Sequence, residues 1–287
     1  MAGTVLYDAP GPRARARYRT YNVLFAVLLA AFLAFVVFKF NAADQFESGI
    51  YERLSESGTI TELQRGLVAT LKAAVFAIVL AVVLGMVLAV GRLSDRRWIR
   101  VPATAFVEFF RAVPLVLLLL FLSAFIQSHF PDWQLETKGL VALVIGLMLY
   151  NGSVLCEVFR AGINAVPVGQ REAAYAIGMR KHQVMSIVLV PQGVRFMLPA
   201  IISQCVVALK DTSLGAIILY PELLRAGRTD AQYVGSFLIT YLVVALVYIA
   251  MNSILSGLAY WLERRLSRRG RGSADAVAEV EDVLPVG

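Results

Sequence analysis

The sequence predicts an all-helical, polytopic membrane protein with about six transmembrane helices. Three observations predict it. Of 287 residues, 59% are hydrophobic and only 16% charged, too apolar for a soluble domain of this length. The apolar residues fall in runs long enough to cross a bilayer. Lys and Arg gather in alternate loops, as the positive-inside rule requires of cytoplasmic segments. This is one membrane domain, with no room for a second globular one. Its net charge of +7 is explained by those loops and needs no nucleic acid.

Residues 1–20 form a basic arm with Arg13, Arg15, Arg17 and Arg19, and residues 21–40 form the first apolar run. Two readings fit: a signal peptide cleaved near Ala42 and Ala43, or a retained extra helix. The length of the run favours the helix, because a signal core is usually shorter. Residues 41–64 carry Asp44, Glu47, Glu52, Glu56 and Glu62 against Arg53 and read as an external loop. The second helix, 65–91, repeats a small residue every fourth position at Ala81, Gly85 and Ala89. Such a stripe lets helices approach closely in lipid.

Arg92, Arg96, Arg97 and Arg100 mark the next loop as cytoplasmic. A third helix over 102–126, a short external loop with Pro131, Asp132 and Glu136, and a fourth helix over 139–160 follow. The polar loop 160–192 is again internal, with Arg171, Arg180 and Lys181. The fifth helix covers 192–219, an external loop runs from Pro221 to Gln232, and the sixth covers 233–262. The tail, 263–287, begins with Arg264, Arg265, Arg268, Arg269 and Arg271, turns acidic, and reads as disordered. Both termini fall inside. Cys156 and Cys205 lie in apolar runs and read as small core residues, not a disulfide. His129 and His182 are isolated, and no metal-ligand spacing occurs. No G-x-x-x-x-G-K-[ST] loop is present, so ATP and its Mg would be bound by a partner.

Loop 160–192 reads RAGINAVPVGQREAAYAIGMRKHQVMSIVLVPQ. Pro167 suits the start of a helix, Gln170 to Ala176 are helix formers, and Gly178 suits a left-handed cap. A second helical run, Lys181 to Val190, is expected to end or kink at Pro191. The result is a two-helix elbow.

Lys210 and Asp211 stand in an otherwise apolar stretch, each costing about 2.5–3.5 kcal/mol if left in lipid. Sequence neighbours point about 100° apart on a helix, so the two do not readily pair with each other. Thr212, Ser213 and Gly215 permit a local break. The charges either fix the bundle or meet a zwitterionic substrate, and both readings stand. Two further pairs, Glu108 with Arg111 and Glu157 with Arg160, are spaced i,i+3. Each is a candidate for the substrate pathway, and each also satisfies itself along its own helix, which is the favoured reading.

Glu172-Ala173-Ala174, three residues, Gly178, nine residues, then Val188 to Pro191 resemble the EAA loop of ABC-importer permeases. Val188 and Val190 replace the usual Ile and Leu, and packing is expected to survive both swaps. KDTSL (210–214), GLVATL (66–71), EFFRAVPLVLLL (108–119), EVFRAGINAVPVGQREAAYAIGM (157–179) and PQGVRFMLPAI (191–201) resemble the permeases for polar amino acids. VLYDAPGP (5–12) resembles actinobacterial glutamate permease subunits. The resemblance implies a type I ABC-importer transmembrane domain over 65–262 in a bacterial plasma membrane, with one extra helix before it. It implies a second permease subunit, two copies of a cytoplasmic ATPase and an extracytoplasmic binding protein. It makes Gln170, Glu172, Ala173, Ala174 and Gly178 the residues coupled to the ATPase. Lys210, Asp211, Thr212 and Ser213 become candidates for the substrate pathway. Arg180 stands where the family often has Ser or Thr, which removes a capping hydroxyl worth about 1 kcal/mol.

The expected function is transport of glutamate, or of aspartate, glutamine or arginine, with no catalysis in this chain. An ion-coupled carrier would explain the buried charges but not the EAA loop, and no inverted repeat is evident. A membrane hydrolase lacks a base at depth. A non-transporting scaffold is the remaining rival.

Overall fold

The protein is seen in a computed structural model that describes residues 11–281. The chain runs through α1 (Pro12–Asn41), α2 (Ser48–Leu54), α3 (Ser57–Arg92), α4 (Arg97–Ala112), α5 (Leu115–His129) and α6 (Leu135–Asn164). It continues through α7 (Val168–Ala176), α8 (Lys181–Gln183), a π-helical turn (Val184–Leu189) and α9 (Val190–Asp211). A 3-10 turn (Thr212–Ile218), α10 (Leu223–Val234) and α11 (Phe237–Glu281) complete it. Among the described residues, five stretches are long and apolar enough to cross a membrane, and α4 with α5 make a sixth only if taken together.

The core is the face between α3 and α6. α3 buries Ala69, Ala73, Ala77, Ala81, Gly85 and Ala89, one every fourth position. At the crossing, a Cβ built on Gly85 would lie 2.9 Å from Leu155 Cβ and 3.0 Å from the Gly152 carbonyl. Gly152 is equally confined, 3.2 Å from the Ala81 carbonyl. Both helices therefore touch nearly backbone to backbone, as the small-residue stripe requires. Leu119, Ile126, Leu143, Leu147 and Tyr220 fill one end of this seam, and Val107, Cys156, Phe159 and Met197 the other.

Four expectations need correction. The third helix is not one span over 102–126, because α4 and α5 meet at a 100° bend. Val113 is extended (φ −75°, ψ 127°), as the residue before Pro114 must be. The segments expected to be external are not plain loops. α2 and the first turns of α3 occupy part of 41–64, and α10 occupies most of 221–232. Glu222 caps α10 by accepting from Leu224 N (2.8 Å) and Arg225 N (2.7 Å), and Gly235 ends it at φ +82°. The arm before residue 21 is helical from Pro12 and continuous with the first span, while residues 1–10 lie outside the described residues. Finally, α11 continues past 262 to Glu281 through Ala- and Glu-rich sequence, where disorder was expected, and residues 282–287 lie outside the description.

Gly85→Val is expected to cost about 1–3 kcal/mol by overpacking the seam. Gly257→Ala, where nothing lies within 4 Å, is expected to cost far less. Thermal unfolding in detergent distinguishes them, and equal midpoints would contradict the close crossing.

Candidate functional site

The elbow is built on the end of α6. Ile163 and Val166 form a small core with Ala174, Met179, Val184, Met185, Val188 and Leu189. Of the alanines in the motif, Ala174 is buried in this core and Ala173 is exposed. Gly178 takes φ +81°, a conformation costly for any residue with a side chain. Arg180 does not leave its helix start uncapped, because its N–H donates to Gln183 Oε1 at 2.8 Å. Val188 packs as expected, but Val190 is exposed and Leu189 fills the core instead. Nor does Pro191 end the helix. The π turn ahead of it ends with Val190 N–H donating to the Met185 carbonyl, five residues back. That wider winding accommodates the missing N–H and the ring of Pro191. Lys181 to Ile218 is thus a single helical path from the elbow across the membrane.

The outer face of the elbow carries unsatisfied groups. Glu172 is exposed and makes no ion pair among the described residues. Val168, Tyr175 and Ile177 are exposed, Ile177 to 79%. The side-chain oxygen of Gln170 accepts from Gln192 Nε2 at 3.4 Å. Lys181 ties the elbow to the α3–α4 turn through Asp95 (2.5 Å) and the Leu93 carbonyl (3.1 Å).

Next to the elbow sits a knot of charge. The carboxylate of Glu157 is bonded by Arg92, by Arg160 (2.8 Å) and, at 3.9 Å, by Arg111. Glu108 reaches Arg92 at 3.4 Å rather than its neighbour Arg111. Only the Glu157–Arg160 pair satisfies itself along one helix, as the spacing predicted. In the sequence Arg92 is a topology signal and nothing more. Its place in the knot follows from the α3–α6 crossing, which the local sequence does not show.

Lys210 and Asp211 point different ways. α9 ends at Asp211 and the 3-10 turn begins, so the expected break is present. Lys210 and Ser213 line a cavity of about 800 Å³ between α9 and α11, with Tyr241, Tyr248, Asn252 and Ser256. Lys210 has no ion-pair partner among the described residues. Asp211 lies instead beside Asn151 of α6, whose Oδ1 accepts from Gln204 (2.6 Å) and whose buried Nδ2 makes no hydrogen bond. Thr212 is buried and donates to the Leu209 carbonyl (2.6 Å). Asn151, Gln204 and Tyr248 were missed because each is an unremarkable polar residue until the helices pack.

Residues 81–268 match the family model described as "Binding-protein-dependent transport system inner membrane component". The chain belongs to that family. The permease is 43% identical over 224 residues to the glutamate transport system permease protein GluD of Corynebacterium glutamicum, covering 77% of this chain and 81% of that protein. It is 32% identical to the glutamate/aspartate import permease protein GltK of Escherichia coli O157:H7, covering 70% of this chain and 91% of that one. An amino acid ABC transporter crystallised with histidines superposes with a TM-score of 0.65 at 29% identity, over 74% of the permease and 97% of that chain. The permease is thus a multi-pass membrane transport component with the fold of an ABC-importer transmembrane domain.

Behind the cavity, Glu222 is fully buried and accepts from Tyr248 Oη at 2.6 Å. Burial pushes its carboxyl above the ordinary carboxylate range, against the pull of the Tyr248 hydroxyl and the two backbone N–H groups. The folded chain therefore holds this proton more tightly than the unfolded chain does. Its contribution to stability is complete below the ordinary carboxylate range and is lost as pH rises through the raised folded value. The melting midpoint is expected to fall over that rise, and to fall less in Glu222→Gln. Parallel declines in the two chains would contradict the assignment.

Proposed function

We propose that the permease is the transmembrane subunit of an ATP-driven, binding-protein-dependent importer of L-glutamate. The observation that carries the substrate is its 43% identity, over most of both chains, to a protein named as a glutamate permease. In this reading the chain catalyses nothing. A separate cytoplasmic ATPase, present in two copies, binds ATP and Mg. The exposed, unpaired Glu172 and the apolar Val168, Tyr175 and Ile177 suit docking to that subunit. A second permease subunit completes the pathway, and an extracytoplasmic binding protein delivers the amino acid. Both termini face the cytoplasm of a bacterium, which puts the basic arm, the α3–α4 turn and the elbow on one side.

Closure of the ATPase moves the elbow, and the Lys181–Ile218 helix carries that motion to the level of Lys210. There an unpaired ammonium offers a counter-charge for a substrate carboxylate, and only the state that exposes it favours binding.

Uptake of labelled glutamate by cells with and without the gene tests the proposal, with aspartate, glutamine and arginine as competitors. Loss of uptake that only acidic amino acids compete for is expected, and unchanged uptake on deletion would remove the substrate. Glu172→Lys is expected to abolish co-purification with the ATPase while the chain stays folded in the membrane, and normal co-purification would sink the coupling role. Lys210→Ala is expected to lower transport by at least tenfold with assembly intact, whereas loss of folded protein would make Lys210 structural.

A further inference from the structure

α4 divides lengthwise into three strips. Ile99, Ala103, Phe106, Val107 and Phe110 face the bundle, with Val107 fully buried. Trp98, Val101, Ala105 and Phe109 form an exposed apolar strip, 69% accessible at Trp98 and 61% at Val101 and Phe109. Arg97, Arg100, Thr104, Glu108 and Arg111 form the polar strip. This is the pattern of a helix lying in a membrane surface, with one face in the acyl boundary and one in water.

The packing gives the same orientation. Ala103 meets Gly91, Glu108 reaches Arg92, and Arg111 reaches Glu157. Thus α4 advances by more than two turns while its partners stay at the cytoplasmic ends of α3 and α6. It crosses the bundle rather than running along it, and the 100° bend at Val113 and Pro114 turns the chain into the membrane.

The start of α4 carries an excess of cations. Arg96 lies over the Trp98 ring (5.9 Å), and Arg100 reaches only the Ser94 carbonyl, at 3.4 Å. Arg97 makes no ion pair among the described residues, and the neighbouring Asp95 is taken by Lys181. Three guanidinium groups thus flank an exposed Trp, with no carboxylate paired to them among the described residues.

We propose that α4 seats in the cytoplasmic leaflet and binds the headgroup phosphates of anionic lipid through Arg96, Arg97 and Arg100, with Trp98 at the headgroup boundary. Basic residues beside a membrane surface attract anionic lipid, and Trp favours that depth. Because Asp95 and the Leu93 carbonyl hold Lys181, the seat of α4 also sets the seat of the elbow. The leaflet assignment rests on the orientation proposed above, but the lipid contact does not. Nanodiscs with both leaflets alike keep the two questions separate.

The test uses the full chain, purified with the subunits that accompany it, in nanodiscs of phosphatidylcholine and phosphatidylglycerol. Trp133→Phe and Trp261→Phe leave Trp98 as the one tryptophan of this chain, and subtracting the signal of the same complex with Trp98→Phe isolates it from the other subunits. Brominated phosphatidylglycerol is expected to quench Trp98 more than the same fraction of brominated phosphatidylcholine. The enrichment is expected to be at least about fivefold, the factor that roughly one arginine supplies at such a surface. Arg96→Gln with Arg97→Gln and Arg100→Gln is expected to equalise the two lipids while quenching persists. Equal quenching in the chain with its arginines intact would overturn headgroup binding. Absence of quenching by either lipid would show that water or another subunit covers this face, and would overturn the proposal entirely.

Discussion

The rest of the structure depends on how closely α3 and α6 approach. In lipid, helices gain nothing by hiding apolar surface from one another, so contact must come from packing. The alanines and glycines of α3, facing Gly152 and Leu155, supply it. That crossing fixes both ends of the molecule. At one end, Gly66 admits Leu223 so closely that a Cβ would lie 2.9 Å from Leu223 Cα. Thr70 accepts from Leu223 N (3.0 Å), and Tyr220 donates to the Ala69 carbonyl (3.1 Å). At the other end, the same crossing brings Arg92 onto Glu157 and gives α4 a surface to cross.

Charge at the elbow end does a different job from packing. Desolvating an ion pair offsets much of its attraction, so the knot around Glu157 is better understood as fixing geometry than as adding stability. It holds the ends of α3, α4 and α6 in register beside the elbow. The elbow has its own core and a single helical continuation into α9. A load applied at α7 therefore reaches α6, on whose end the elbow core is built, the Lys181–Ile218 helix, and the α3–α4 turn through Lys181 on Asp95.

Much of this was legible in the sequence. The stripe at Ala81, Gly85 and Ala89 gave the packing face, Gly178 the left-handed hinge, and Thr212 to Gly215 the break after Asp211. Local signals also existed for features that went unread. Val113-Pro114 marks the bend that splits the third helix, and Glu222 with Gly235 bracket α10. Other features had no local signal. That Arg92 rather than Arg111 would hold Glu108, and that Asp211 would turn to Asn151 while Lys210 faces a cavity, depends on helices far apart in sequence. Of the two outcomes expected at Pro191, an end or a kink, the end does not occur, because the π turn before it accommodates the ring and the missing N–H.

The central claim is that elbow and α9 move as one lever. Spin labels at Arg171 and Ser203, in a chain lacking Cys156 and Cys205, report on the lever itself, and labels at Arg171 and Val79 report on its motion against α3. Pulsed electron–electron resonance on the assembled transporter would compare nucleotide-free and ATP-bound states. The account predicts a constant Arg171–Ser203 distance and a shift in Arg171–Val79. A change in Arg171–Ser203 would show that the π turn is a joint, and would contradict it.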